Sequence, residues 1–313
     1  MRKNSTPDPE SSPYGEPRRR DTLTSTITWL TAVAGLAALA IAGLTLGAWM
    51  YHRGRRTGSP PTLTITFPEL PDGDCGIIRT PDGHIVLIDA GGPNSWPELR
   101  RTLAHVGVKK IDLLVLGSPD ASGLGGVRPL LRSGIPVLSV WNTALPATDR
   151  ARRHALDEIA KEHVPVRIAA AGLTSVLGTS GARLTVVWPP ERSPRAAVDG
   201  VLCRLDFGQS SMLLGGPLDA PTEDYVVSAA GADLPCDVLQ VVDHGADGTS
   251  LEMLRRTAPE IAVICSEQTN PPSPGVLHRL QAAGAEIWRT DQQGTITIHA
   301  DGRGAPVVVG SRQ

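Results

Sequence analysis

The feature that most constrains this chain is a 30-residue segment without a charged side chain, Thr22–Tyr51. Its apolar core, Ile27–Met50, is longer than the roughly 20 residues that a helix needs to span a bilayer. Trp29 lies near one end of the segment and Trp49 and Tyr51 lie at the other, a placement typical of side chains at membrane interfaces. The sequence therefore predicts one transmembrane helix over residues 22–51 and a separate domain outside the membrane.

Two alternatives concern this segment. Ala40-Ile-Ala42 is similar to a signal-peptide cleavage site, but so long an apolar core favours an uncleaved anchor. Arginines flank both ends, and Arg2 and Lys3 add positive charge on the N-terminal side. The positive-inside rule then predicts a cytoplasmic N-terminus. We therefore expect a single-pass membrane protein whose soluble domain is extracytoplasmic.

The rest of the chain divides by composition. Residues 1–21 are rich in Pro, Ser, Arg and Glu, which predicts a disordered tail. Residues 52–61 have the Gly and Pro content of a linker. Residues 62–313 have the length and composition of one folded domain. The four cysteines form no Cys-x-x-Cys pair, so we expect them to be buried small apolar residues.

Within residues 62–313, alternating and continuous apolar runs predict strands, and apolar residues at helical spacing predict helices between them. Such an order favours two packed sheets with helices on their outer faces. The predicted strands are 63–67, 76–79, 84–88, 111–116, 184–188, 201–207, 210–214, 238–242, 261–264 and 295–299. The predicted helices are 96–106, 151–162, 251–256 and 275–283.

Several motifs occur in a telling order. Phe67–Gly92 contains Gly-Asp-Cys-Gly-Ile-Ile-Arg-Thr-Pro-Asp-Gly and then Ile-Asp-Ala-Gly-Gly. It resembles the opening of the metallo-β-lactamase-fold domain at the C-terminal end of ComEC-type DNA-uptake channels. Ile111–Leu116, Leu202–Leu218, Asp237–Gly245 and Leu280–Ile298 are similar to later parts of that domain in the same order. The resemblance implies an α/β fold, a four-layer αββα sandwich, over residues 62–313, here preceded by one transmembrane helix.

The resemblance also implies a two-metal loop of the form His-x-Asp/His-x-Asp-His followed by Gly-Gly. The corresponding positions here are Ser118, Asp120, Ser122 and Gly123. Hydroxyl groups are poor zinc ligands compared with imidazole or carboxylate. Gly125 and Gly126 keep the backbone part of the motif, and Asp89 is expected to orient the loop.

The other ligand regions implied by the resemblance are altered too. Pro217 stands where the family has a bridging Asp, and Asp219 would need a shifted backbone to replace it. Asp243-His244 stands in place of His-His, and the late Asn270–Pro274 region contains no His. The possible metal ligands are thus reduced to Asp120, Asp243 and His244. His244 could equally be an ordinary polar residue at a strand end.

These residues leave three functional hypotheses open. In the first, the chain is a membrane-anchored pseudoenzyme that has no cofactor and has a binding or accessory role, with a protein as a possible partner. In the second, Asp120, Asp243 and His244 hold one zinc or manganese ion in a remodelled phosphodiesterase or nuclease. In the third, the chain is an accessory part of a DNA-uptake or envelope system. Ser118 or Ser122 could act as a nucleophile only with a base such as His244 within reach, and no Gly-x-Ser-x-Gly elbow is present.

Charge bears on the nucleic-acid partner that the resemblance suggests. Residues 1–61 hold 8 of the 30 Lys and Arg and 4 of the 32 Asp and Glu, which leaves 22 basic and 28 acidic residues in 62–313. A net charge near −6 disfavours strong non-specific binding to nucleic acid, which requires a basic surface. A local patch at Arg128 and Arg132 beside the loop stays open.

Overall fold

The computed structural model describes residues 41–45, 47, 61–143, 149–191, 200–230 and 234–312. The chain forms two compact units, Met1–Ser59 and Pro60–Gln313. In the first unit, residues 41–45 and 47 are helical and exposed. The predicted tail, the rest of the predicted membrane helix and the predicted linker up to residue 60 lie outside the described residues. Within the described ranges, no helix combines the length and apolarity that crossing a bilayer requires.

The strands of the second unit form two mixed sheets. The eight-stranded sheet has the order β15-β14-β1-β2-β3-β4-β5-β6 and the seven-stranded sheet the order β13-β12-β11-β10-β9-β8-β7. The first sheet contains β1 Leu63–Phe67, β2 Gly76–Arg79, β3 Ile85–Ile88, β4 Leu113–Val115, β5 Val140–Asn142, β6 Val166–Ile168, β14 Ile296–Ala300 and β15 Val307–Gly310. The second contains β7 Thr174–Leu177, β8 Ala182–Trp188, β9 Leu202–Phe207, β10 Ser210–Gly215, β11 Val238–Gln240, β12 Ile261–Ile264 and β13 Glu286–Arg289.

Eight helices and one 3-10 turn connect the described strands. The helices are α1 Trp96–His105, α2 Ala121–Leu124, α3 Val127–Leu131, α4 Arg150–Lys161, α5 Ala220–Ala230, α6 Leu251–Thr257, α7 Pro274–Ala282 and α8 Thr290–Gln293, and the 3-10 turn is Val242–Gly245. Asp149, Ser250 and Ser273 directly precede α4, α6 and α7. Their side chains cap these helices by accepting hydrogen bonds from first-turn backbone N–H groups.

Side-chain alternation in the strands separates three apolar layers. One layer lies between the sheets and includes Ile65 and Val86 from the first sheet and Leu205 from the second. A second layer packs α1, α3 and α4 on the outer face of the first sheet. A third packs α5, α6 and α7 on the outer face of the second sheet. The predicted order of helix, sheet, sheet and helix layers therefore matches the packing of the second unit.

Every predicted strand and helix occurs in the structure with its ends within two residues, and two of the differences at the ends are instructive. The predicted strand 111–116 is shortened to Leu113–Val115, and the predicted strand 238–242 ends at Gln240. The latter prediction is wrong at its end because Val242 begins a 3-10 turn in which Asp243 and His244 adopt positive φ angles. The strands β5, β6, β7, β13 and β15, the helix α5 and the short helices α2, α3 and α8 were not predicted.

Parallel pairing decides where the loops meet. β3 pairs in parallel with β4, and β11 pairs in parallel with both β10 and β12. The carboxyl ends of parallel strands lie at one sheet edge, where α/β proteins commonly place their sites. The loops that follow these five strands carry every position singled out in the sequence.

Candidate functional site

Three loops from the two sheets meet at this edge. The Val201 N–H donates to Gly117 O over 2.6 Å, and the Gly200 N–H donates to Pro217 O over 2.7 Å. Gly216 lies so close to Gly117 that an added Cβ would overlap its carbonyl oxygen. Backbone contacts therefore fix the loop after β4 against the loop after β10.

Asp89 is the central acceptor of the loop after β4. Its side chain is buried, and its backbone adopts a φ of 59°. Oδ1 accepts from the backbone N–H groups of Gly117 at 2.7 Å and Ser118 at 3.0 Å, and Oδ2 accepts from Ser118 Oγ at 2.9 Å. Burial, with the nearby charge of Asp74, raises the pKa of Asp89 to about 7 against these hydrogen bonds. The Asp89 carboxyl group therefore holds the start of the loop after β4 in place.

Gly123 lies directly against this hydrogen-bonded pair. A Cβ at Gly123 would stand 2.5 Å from Asp89 Cγ, 2.5 Å from Ser118 Oγ and 2.6 Å from Ser118 Cβ. No side chain fits at such separations without displacement of its neighbours. The space that a ligand side chain at position 123 would need is thus filled by Asp89 and Ser118.

Gly125 and Gly126 make close backbone approaches of the same kind. A Cβ at Gly125 would overlap the backbone of Gly92 and Pro93, and one at Gly126 would overlap Ala90 O. The Gly126 N–H also donates to the backbone of the loop that follows β3. The Gly-Gly pair therefore packs α2 and α3 against that loop.

Asp120 begins the short helix α2. Its Oδ1 accepts from the Ser122 backbone N–H at 2.9 Å and from Ser122 Oγ at 2.7 Å. Both residues are at least partly exposed, whereas Ser118 is buried. Both hydroxyl groups that were considered as nucleophiles therefore donate to a carboxylate, and among the described contacts neither bonds to His244.

Pro217 and Asp219 lie between β10 and α5. Pro217 contributes only its carbonyl oxygen to the loop contacts. Asp219 is exposed and accepts from the Thr222 N–H at 2.8 Å through Oδ1, a contact that stabilises the first turn of α5. Asp219, the one carboxylate near the position of the bridging Asp that the resemblance implies, thus caps a helix.

Asp243 and His244 occupy the 3-10 turn with left-handed backbone angles, φ 49° and 51°. Such angles are uncommon for residues other than glycine and often accompany functional loops. His244 Nδ1 lies 2.9 Å from Cys265 O, so Nδ1 carries the proton and donates to this carbonyl. Burial by itself lowers the pKa of His244, but the charge of Asp74 and the bond to Cys265 outweigh it and raise the pKa.

Asp74 is the site residue that sequence reasoning missed. It is buried, its Oδ2 accepts from Gln240 Nε2 at 3.1 Å, and its Oδ1 has no hydrogen-bond partner. Burial raises its pKa, and the charge of His244 opposes that rise. Its position in the Gly-Asp-Cys motif after the first strand is the signal that could have found it.

The structure brings the three candidate ligands together, but not in ligand geometry. Burial raises the pKa of Asp243, and the nearby charges of His244 and Asp120 act on it in opposite directions. Among the described residues, no group of three or more His, Cys, Asp or Glu side chains is arranged to hold a metal ion. A two-metal centre of the implied type does not fit this donor set, because positions 118, 122, 123 and 217 supply only hydroxyl groups or no donor.

Comparison with solved structures concerns the class of fold. CmlA β-hydroxylase of Streptomyces venezuelae, as its E377D mutant, superposes with a TM-score of 0.50 at 13% identity over 81% of this chain and 55% of its own. The subclass B3 metallo-β-lactamase MEM-A1 from a soil metagenome gives a TM-score of 0.40 at 16% identity over 57% of this chain and 78% of its own. The domain is a mixed α/β fold with two packed sheets, similar to the metallo-β-lactamase fold.

Sequence comparison adds relatives. ComE operon protein 3 of Bacillus subtilis is 27% identical over 257 residues, 74% of this chain and 32% of that protein. Competence protein ComA of Neisseria gonorrhoeae is 25% identical over 238 residues, 74% of this chain and 31% of that protein. The uncharacterized protein YcaI of Escherichia coli is 29% identical over 129 residues, 40% of this chain and 17% of that protein. No family model matches the sequence.

These matches confirm that the chain resembles the metallo-β-lactamase-fold domain of ComEC-type competence proteins. The chain spans about a third of the length of the two competence proteins and less of YcaI.

Proposed function

We propose that this protein is a membrane-anchored, catalytically inactive member of the competence-related metallo-β-lactamase-fold proteins, with a binding or accessory role. The observation that carries the proposal is the contact between Gly123 and the Asp89–Ser118 pair. Ser118 and Gly123 stand at positions where the resemblance implies metal-binding histidines. Both are buried and packed against Asp89. The loop therefore serves as a structural element.

The donor chemistry of the remaining positions supports the same proposal. Oδ1 of Asp120 is engaged by α2, and Asp219 caps α5. Pro217 has no side-chain donor. Of the three possible metal ligands, Asp120 caps a helix. Among the described bonds, Asp243 and His244 make no such contact.

Metal analysis tests this proposal. The full chain, purified in detergent without chelator and then dialysed against zinc or manganese, is measured by inductively coupled plasma mass spectrometry. We expect metal content far below one ion per chain, the same for wild type and His244→Ala. Near-stoichiometric metal in wild type that is lost in His244→Ala but kept in His278→Ala, an exposed histidine on α7, would overturn it.

One observation favours the hydrolase as second candidate. Asp74 Oδ1 has no hydrogen-bond partner, and the charges of His244, Asp120 and Asp243 act on Asp74. The hydrolase would require these loops to shift until the four side chains converge. The test is hydrolysis of bis-p-nitrophenyl phosphate and of DNA with added zinc or manganese. This candidate requires metal-dependent turnover that His244→Ala abolishes and His278→Ala leaves intact; the absence of any turnover eliminates it.

The membrane anchor and orientation are supported by the sequence alone. The uncharged segment 22–51 is proposed to hold the protein in the membrane, and the positive charge before it to place the domain outside the cytoplasm. A C-terminal alkaline phosphatase fusion should then be active in cells. An inactive phosphatase beside an active C-terminal cytoplasmic reporter would reverse the orientation.

A further inference from the structure

A broad groove of about 770 Å³ lies on the outer face of the first sheet, beside α1. Seven threonines, one serine, two arginines and two histidines contribute to its lining. Among the described residues that line it, none is Asp or Glu. The groove is therefore rich in hydrogen-bond donors and carries only positive charge.

Strand register arranges the donors in rows across the sheet. Thr64 on β1 is paired with His299 on β14 and with Arg79 on β2. Neighbouring strands lie about 4.8 Å apart, so these three residues form a row about 10 Å long. Thr66 and Thr297 form a second row, with their hydroxyl oxygens 3.5 Å apart.

Arg79 is the main cation of the groove. Its Nη1 donates to Val106 O, just past the end of α1, over 2.7 Å. A guanidinium has five N–H donors, so donors remain beyond this bond. No ion pair links Arg79 to a carboxylate in the described part of the chain.

Helix α1 supplies the opposite wall. Arg101 and His105 are four residues apart and so share one face of the helix, and both line the groove. Arg101 is exposed and pairs with Glu98 one turn earlier, which leaves Arg79 as the groove's cation without an acidic partner.

We propose that this groove binds a small phosphate-bearing ligand, whose phosphate is held by Arg79, Thr64 and His299. Guanidinium and hydroxyl groups match the geometry and charge of phosphate oxygens. Residues 62–313 carry a net charge near −6, but the described residues that line the groove include no acid. The positive charge is therefore confined to the groove. A small anion can occupy the groove without meeting the acidic surface around it.

A small ligand fits better than a nucleic-acid strand for two reasons. The groove volume lies within the roughly 300–1,000 Å³ typical of small-molecule sites. The described residues of its lining include no Phe, Tyr or Trp on which bases could stack. An acidic domain also repels a polyanion that extends beyond the groove.

Calorimetric titration of the full chain with inorganic pyrophosphate tests the proposal. EDTA in the buffer keeps the readout independent of any metal at the loop site. We expect saturable one-site binding that Arg79→Gln or Thr64→Val weakens about tenfold or more, as loss of a charged or hydroxyl donor to phosphate predicts. Arg183→Gln, an exposed arginine on β8 of the other sheet, should bind as wild type does.

Three results would overturn the proposal. One is no saturable binding by wild type, and another is equal binding by wild type and Arg79→Gln. The third is tighter binding of a dT12 oligonucleotide than of pyrophosphate with loss in Arg79→Gln, because the groove would then serve a nucleic-acid strand. Since Thr64→Val keeps the side-chain shape and Thr64 is partly exposed, a fold defect cannot imitate its expected loss.

Discussion

The buried pair of Asp89 and Asp74 should make the domain less stable as pH rises from acid to neutral. The substitution Asp89→Asn tests this, because asparagine keeps the shape of the side chain. Its Oδ1 can still accept from the Gly117 and Ser118 N–H groups, and its amide can donate to Ser118 Oγ, which then accepts. The substitution removes a buried charge and leaves the hydrogen bonds in place.

The magnitude follows from the pKa. Asp89 has its pKa raised from an ordinary 3.8 to about 7. Between these values the folded state holds a proton that the unfolded state has released, so the unfolding free energy falls as pH rises. The contribution of Asp89 to the free energy of unfolding is complete below pH ~4 and is lost by pH ~7. The change amounts to at most about 4 kcal/mol. The raised pKa of Asp74 acts in the same direction.

The assay is urea unfolding of Pro60–Gln313, which forms a compact unit of its own, followed by tryptophan fluorescence at pH 5, 6, 7 and 8 and constant ionic strength. Wild type should lose stability across this series, and Asp89→Asn should lose much less, with its advantage largest at pH 8. Asp82→Asn is the control. The hydrogen bonds that Asp82 accepts from Thr80 and Thr179 lower its pKa, so its contribution is constant from pH 5 to 8.

One result would refute the reasoning. If Asp89→Asn is less stable than wild type at pH 8 and keeps the wild-type pH slope, Asp89 is ionised in the native protein throughout pH 5–8. The three donated hydrogen bonds would then outweigh burial in setting its pKa.

Three further outcomes are expected. Gly123→Ala should lower the unfolding free energy by about 1–3 kcal/mol through overpacking, whereas Gly304→Ala, where a Cβ meets no neighbour within 4 Å, should change it by less than about 0.5 kcal/mol in urea unfolding. Glu223→Gln should cost about 1–3 kcal/mol in the same assay, because buried Glu223 accepts from the Thr249 and Ser250 N–H groups; equal stability would contradict this. The four cysteines, all buried and with raised thiol pKa values, should react with Ellman's reagent at pH 8 only after unfolding, and fast labelling of the native chain would contradict their placement.

The long, well-patterned elements could be predicted from the sequence. Leu63–Phe67 and Ile261–Ile264 are apolar enough to signal buried strands, and both lie where they were expected. The edge strands β6 and β15 carry weak signals because half or more of their residues are exposed. Helix α5 was missed because its amphipathic pattern is weak and it begins with Ala-Pro-Thr.

The candidate site shows where sequence reasoning ends. The positions that differ from the implied metal loop could be read directly from the chain, and the structure places them at one edge of both sheets. The surroundings of Asp74 could not be read, because they include Gln240, whose Nε2 donates to Asp74 Oδ2 from the other sheet. Nor could the backbone twist at Asp243 and His244, since local propensity favours a continued strand after Gln240.

The close contact at Gly123 also bears on how readily this loop could change. A histidine introduced there alone would meet Asp89 and Ser118 and would cost stability before it gained a ligand. Substitutions at position 118 or shifts of the β3 loop would have to come first, and each of these disturbs the hydrogen bonds that hold Gly117. The present packing therefore disfavours single substitutions toward a two-metal loop.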